Sequence, residues 1–264
     1  MSGSLGHQPA VEPGREVGLE VVDGVAVITL DAPGRRNALT LGMARELGET
    51  AARVDADPAV RAVVVRGSGG HFCAGAHRAL LDEVAEDPAD PRRYADLGVV
   101  YDCFYRVGRL GVPVVAENAR IIAGFGAIGL HPGGGHLLLA AAALGRSGAA
   151  ALTLLGQELD GPRALRAGLA FDCVADDEVD ARALALASAA PADPELSRSI
   201  TASFRRSVGP SVVEWEQAME AERATQMWSL RRRAVKLRSE ERGDEGRLPG
   251  ASSERSQHGR RAVR

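Results

Sequence analysis

The chain has 264 residues, 45% of them apolar, 25% charged and 4% aromatic, and a net charge of −3. That length suffices for one large domain with a substantial core, and the charged fraction excludes global disorder. The charge balance leaves no footprint for nucleic acid, and the lack of any run of about 18 apolar residues excludes a membrane span.

Residues 1–15 are polar and rich in Gly and Pro, and read as a flexible tail without the apolar stretch of a secretory signal. Val17–Val22 and Val25–Leu30 alternate around Asp23-Gly24, a hairpin signal. Thr40 can cap a helix over 41–56, where Met43, Ala44, Leu47 and Ala51 recur at helical spacing before Asp57-Pro58 stops it. Residues 62–66 form a short apolar run, as in a buried parallel strand, and Gly67-Ser68-Gly69-Gly70 follows. This order of hairpin, helix, strand and turn predicts α/β layering.

Residues 77–110 read as helix interrupted at 87–91, and 113–116 as another short strand. A second Gly-rich passage covers 124–135, and an Ala-rich helix starts near Leu137. Further helices are expected at 148–155, 161–168, 177–189, 194–208 and 211–238, with a last strand at 171–174. Residues 241–264 are expected to be a disordered tail. The domain reading is a flexible tail to residue 15, a core over 16–190, a C-terminal helical region over 191–240 and the final tail. Cys73, Cys103 and Cys173 are odd in number and widely spaced, which indicates a reducing cytoplasm rather than a disulfide framework. Of the 32 basic residues only Lys236 is lysine, a coding bias with no functional content.

Two segments can carry chemistry. After the strand at 62–66, small residues at 73–76 let a ligand approach the backbone, whose N–H groups can donate to an anionic oxygen. Gly67-x-Gly69 continues to Phe72 rather than Gly, so this is no dinucleotide fingerprint. His71, Cys73 and His77 lie close together, but no second Cys/His pair stands at zinc spacing, and Cys73 reads as a small apolar residue in a packed turn. The second segment, Gly129 to His136, lacks the Lys-Ser/Thr of a phosphate loop. It opens a helix, so its free N–H groups can face an anion, although tight packing of helix against sheet explains 133–135 better. His77, His131, His136 and Glu117 are candidates for acid–base work. Arg35 and Arg36 can pair with phosphates or form a solvated basic turn, and Arg231-Arg232-Arg233 reads as a solvated helix face.

As an ordered set these segments resemble the crotonase family, also called the enoyl-CoA hydratase/isomerase family. The resemblance rests on the hairpin, Pro33-x-x-x-Asn37-Ala38-Leu39, the strand ending at Gly67, and Phe72-Cys73-Ala74-Gly75-Ala76. Pro113-Val114-Val115-Ala116 and Gly129-Leu130-x-Pro132-x-x-Gly135 complete it, over about residues 17–240. It implies an α/β fold of repeated ββα units with a helical C-terminal region, assembled as a homotrimer or a dimer of trimers. It implies an acyl-CoA thioester ligand, no cofactor, and a backbone oxyanion hole with one donor at Ala76. Arg36, Ala38, Leu39, Ala74, Gly75, Ala76 and His77 would line the CoA groove.

Three positions depart from the family pattern. Ala116 runs directly into Glu117-Asn118-Ala119, so a turn and helix of about 20 residues, which carries the second oxyanion donor in the family, is missing. Phe125 stands where hydratases usually carry a catalytic Glu, and His77 where an acidic residue often follows. Loss of one donor costs about 3–4 kcal/mol in the transition state, and loss of a general acid or base a further factor of roughly 10²–10⁴. Hydration by two glutamates is therefore not expected. The reading is an acyl-CoA enzyme of the hydratase/isomerase type. The alternatives are a non-catalytic acyl-CoA binder, or an interaction protein using its charged C-terminal helix.

Overall fold

The structure is a computed structural model and describes residues 14–108, 114–116 and 119–245. β1 (Val17–Val22) and β2 (Val25–Leu30) pair antiparallel, with Val22 opposite Val25. Asp23 and Gly24 both take positive φ, as a two-residue hairpin turn requires. The chain then crosses through α1 (Leu41–Ala56) to β3 (Ala62–Gly67), parallel to β2 with Ile28 opposite Val65. The Thr40 hydroxyl accepts from the Met43 N–H, the predicted cap. Met43, Ala44, Leu47, Ala51 and Val54 turn inward at helical spacing.

β2 is buried along its whole length. Ala26, Ile28 and Leu30 face the main core with α1, while Val25 and Val27 join Val64 under Ala183, Leu184 and Ala187 of α6 (Val179–Ser188). β3 is parallel as predicted, but only Val64 in it is fully buried. The reason is topological: among the described residues β3 is an edge strand. β4 (Val114–Ala116) and β5 (Asp172–Val174) form a separate parallel pair.

The predicted helical stretch at 77–110 is α2 (Arg78–Glu86) and α3 (Pro91–Gly108), divided where the sequence indicated. α5 (Gly161–Arg166) and α7 (Pro194–Ser207) begin at the aspartate caps Asp160 and Asp193. α7 is fastened to the end of α1 and the start of β3. Ser197 Oγ donates to the Arg61 carbonyl at 2.7 Å, and Arg198 donates to the carbonyls of Asp55 and Val60. α8 (Val212–Glu245) packs along α2 and α4, and continues five residues into the stretch read as tail. The architecture is the expected repeated ββα core followed by helices. The remaining tail residues, the Ala116–Glu117 junction and the side chain of Glu117 lie outside the described residues.

The stretch α4 (His136–Thr153) is two helical halves, as the sequence indicated. They meet at Gly145, where φ is 66° and ψ 172° and the chain turns back. His136 Nε2 consequently lies 3.1 Å from Thr153 Oγ1. A straight helix would hold these ends about 25 Å apart. By length and composition α4 is apolar enough to cross a membrane, a point the search for apolar runs missed. Folded back on itself, it has no segment long enough to do so.

Candidate functional site

The first loop is built on Asn37, which has no solvent exposure. Its Oδ1 accepts from the Ala32 N–H at 2.8 Å, and its Nδ2 donates to the carbonyls of Ser68 and His71 at 3.0 and 2.6 Å. One side chain thus ties the loop before α1 to the turn after β3. Residues 36–39 and 74–77 then run side by side. Ala74 N donates to the Arg36 carbonyl, Leu39 N to Gly75, and His77 N to Leu39, at 2.8–3.0 Å.

This is a parallel bridge between Leu39 and Ala76, in which the bonds flank Ala76 on either side. The Ala76 N–H therefore points away from residue 39. Among the described residues it has no protein acceptor. Ala38 and Leu39 are buried, and the Leu39 side chain belongs to the core, so only its backbone can face a ligand. The side chain of Arg36 is exposed; Ala74 is exposed, and Gly75 and Ala76 are half-buried. Arg35 is not a phosphate ligand: its guanidinium grips both oxygens of Glu16 at 2.6 and 2.7 Å and its Nε donates to the Ala38 carbonyl. That pairing holds the Glu16 carboxyl below its ordinary range.

His77 serves as the cap of α2, its Nδ1 accepting from the Ala79 N–H. The Cys73 thiol donates to the Asn37 carbonyl at 3.2 Å, and burial pushes its pKa up, which is the opposite of what a nucleophile needs. Among the described residues no three His, Cys, Asp or Glu side chains are placed to hold a metal ion.

The second loop is clamped by α8. Gly133 leaves no room for a side chain, since a Cβ would sit 2.6 Å from Gln226 Oε1, and one on Gly135 would sit 2.6 Å from the Trp215 ring. Tight packing is thus the role of these glycines, against α3 and α8 rather than against the sheet. Trp215 Nε1 donates to the Gly134 carbonyl, Gln226 Nε2 to that of His131, and Ser229 Oγ accepts from the His131 N–H, at 2.9–3.0 Å. The free amides at the start of α4 do face an anion, but it is the chain's own. Glu222, 5% exposed, takes the N–H groups of His136 and Leu137 at 2.8 and 2.9 Å. Burial pushes this carboxyl above its ordinary range against the pull of those amides.

The sequence reading missed Trp215, Glu222, Gln226 and Ser229. Their spacing along one helical face was the available signal. His131 Nδ1 donates to the Pro132 carbonyl at 2.7 Å. The His136 ring stands edge-on to Phe125, centroids 5.1 Å apart. In the basic run on α8, Arg233 pairs with Asp82 at 2.9 Å and Arg232 lies over the Trp228 ring, so the run is partly engaged rather than simply solvated.

A model of the enoyl-CoA hydratase/isomerase family matches residues 20–97 and 111–236. A probable enoyl-CoA hydratase of Mycobacterium tuberculosis, EchA14, is 36% identical over 228 aligned residues, covering 78% of this chain and 87% of its own length. The 1,2-epoxyphenylacetyl-CoA isomerase of Escherichia coli is 30% identical, over 60% of this chain and 69% of that one. Among solved structures, an enoyl-CoA hydratase from Bacillus halodurans superposes with a TM-score of 0.71 at 18% identity, over 86% of this chain and 99% of that one.

Proposed function

The chain belongs to the enoyl-CoA hydratase/isomerase family, and from that premise we propose that it acts on an acyl-CoA thioester whose carbonyl oxygen is held by the Ala76 N–H. The observation that carries this reading is the direction of that N–H. The Leu39–Ala76 bridge fixes its orientation and leaves it unpaired among the described residues. A rigid backbone donor is the device that stabilises an enolate oxygen with little reorganisation. On this reading Arg36, Ala38, Ala74, Gly75 and His77 border the CoA groove, with Leu39 contributing backbone only.

The reaction class we favour is proton removal next to the thioester carbonyl, followed by double-bond migration. Two-glutamate hydration is disfavoured because Phe125 cannot transfer a proton. A second reading, binding without turnover, is favoured by the missing segment of about twenty residues. The protein is proposed to work as a homotrimer or a dimer of trimers in the cytoplasm, where its three cysteines stay reduced.

The test is isomerisation of 3-hexenoyl-CoA to its 2-enoyl isomer, with binding measured by calorimetry. Ala76→Pro removes the donor and is expected to lower the rate about 10²–10³-fold while the protein still folds. Binding with no turnover would select the second reading. No saturable binding of any acyl-CoA would overturn both.

A further inference from the structure

We infer that Arg35 and Glu16 are positioning residues of this site: their two-pronged pair fixes the Ala38 carbonyl and, through the Leu39–Ala76 bridge, the direction of the Ala76 N–H. The inference rests on the thioester reading above.

The loop before α1 is strained. Arg36 and Asn37 both take positive φ, 55° and 54°, and neither is glycine. Consecutive residues in that region persist where their surroundings over-determine them. Here the two strained residues lie inside a closed loop. The Ala38 N–H donates to the Arg35 carbonyl at 3.1 Å, and Arg35 Nε donates in return to the Ala38 carbonyl at 2.7 Å. One side chain thus spans both.

The guanidinium is not free to turn away from that bond. Its other two nitrogens sit on the two oxygens of Glu16 at 2.6 and 2.7 Å, and a planar fork engaged at both prongs fixes the aim of Nε as well. Glu16 is anchored in turn through its backbone. Its N–H and that of Val17 donate to the Glu46 carboxylate of α1 at 2.9 and 3.2 Å, and its carbonyl accepts from the Asp31 N–H at 2.8 Å. Arg35 lowers the pKa of the Glu16 carboxyl, so the pair is ionised at neutral pH.

From Ala38 the restraint reaches the donor without a gap. The Ala38 carbonyl and the Leu39 N–H belong to one planar peptide group, so fixing the first fixes the second. That N–H donates to the Gly75 carbonyl at 2.8 Å, and the Leu39 carbonyl accepts from the His77 N–H at 2.8 Å. Ala76 lies between these two bonds. Tilting the peptide group between Ala38 and Leu39 therefore re-aims the Ala76 N–H. A misplacement of about 1 Å costs on the order of 100-fold in rate.

Stability and positioning separate at this pair. The Arg35 and Glu16 side chains are 26% and 34% exposed, and an ion pair so open to solvent adds little to stability. Asn37 restrains the same loop from within, but its loss leaves buried groups unpaired and destabilises the chain. The outer pair is the restraint that can be released in a folded protein.

The experiment reads the carbonyl stretch of butyryl-CoA bound to the full chain, by infrared difference spectroscopy with the thioester carbon isotopically labelled. Calorimetric affinity and Tm are measured alongside. In the unmodified protein the stretch is expected to lie below that of the free thioester, because a donor on the oxygen weakens the C=O bond. Arg35→Lys keeps the charge but loses the fork, and Glu16→Gln keeps the shape but loses the charge. Both are expected to return the stretch most of the way to its free value, with Tm little changed and affinity altered less than about tenfold. Isomerisation of 3-hexenoyl-CoA should slow about 10–100-fold in each. The double variant should go no further than the single ones, since the two residues act as one unit. Arg182→Gln breaks an equally short pair, with Asp172, and should leave the stretch where it was. A stretch unmoved in Arg35→Lys and Glu16→Gln, or moved as far by Arg182→Gln, would overturn the inference, as would losses that add in the double variant. Glu16→Gln decides the matter if Arg35→Lys fails to fold. Binding with an unshifted stretch in the unmodified protein overturns the Ala76 donor instead, and absence of binding overturns the thioester reading itself.

Discussion

Two residues show how differently the sequence exposes its devices. Asn37 sits in a motif, and its amide makes three hydrogen bonds, two of them fully buried, in a left-handed backbone conformation (φ 54°) that Asn tolerates better than most residues. Glu222 sits in an ordinary charged helix and announces nothing. Its role exists only because the fold brings α8 over the start of α4. The raised pKa of Glu222 has a consequence for stability. The native chain holds this proton more tightly than the unfolded chain, so the group favours folding in acid. That contribution is complete below about 4.5 and is lost as pH rises through the raised native value. Glutamine carries no such proton. Glu222→Gln should therefore gain on the unmodified protein as pH rises from about 4 to 7, read as the difference between urea midpoints. A difference that stays constant across that range would show that the carboxyl titrates normally.

Elements with local signals were legible. Asp23-Gly24 gives the hairpin and Thr40 the start of α1, because both turn and cap are specified within a few residues. The division of α4 into two helices was legible as well, but the direction in which its halves fold back was not, since Gly145 admits many backbone conformations. Only the tertiary contacts of the two halves decide it. At φ 66° and ψ 172°, Gly145 occupies a region nearly closed to side chains. Gly145→Ala is expected to cost about 1–3 kcal/mol, lowering Tm by roughly 2–10 °C. An unchanged melting temperature would mean that the turn is not strained. The partial exposure of β3 was equally invisible. An apolar run reads as buried whether or not a further strand covers it.

For the whole molecule, the position of Ala76 was legible as a motif, but the direction of its N–H came only from strand register. The clamp on the second loop came from residues about 80–100 positions downstream, beyond any local pattern. An exposed apolar stripe bears on the proposed assembly. On α7, Leu196, Ile200 and Phe204 are 50%, 52% and 62% exposed and lie four residues apart, forming one apolar stripe. The proposed trimer gives that stripe a cover. Sedimentation should return a trimer or a multiple of it, and Phe204→Glu should shift the mass toward a single chain. A monomeric unmodified protein would remove the assembly proposal.

The α8 clamp also sets an order of events on the ribosome. The amides of His136 and Leu137 are synthesised well before the Glu222 carboxylate that satisfies them. At typical elongation rates that interval is on the order of ten seconds. During it the hairpin, α1 and β3 can already pair with one another, although α6 and α7 reach them later, while the loop from His131 onward lacks its α8 partners. The nascent chain therefore passes through a stage with a finished first loop and an open second one. That stage is a natural point for a chaperone to hold it, and for a late truncation to leave it.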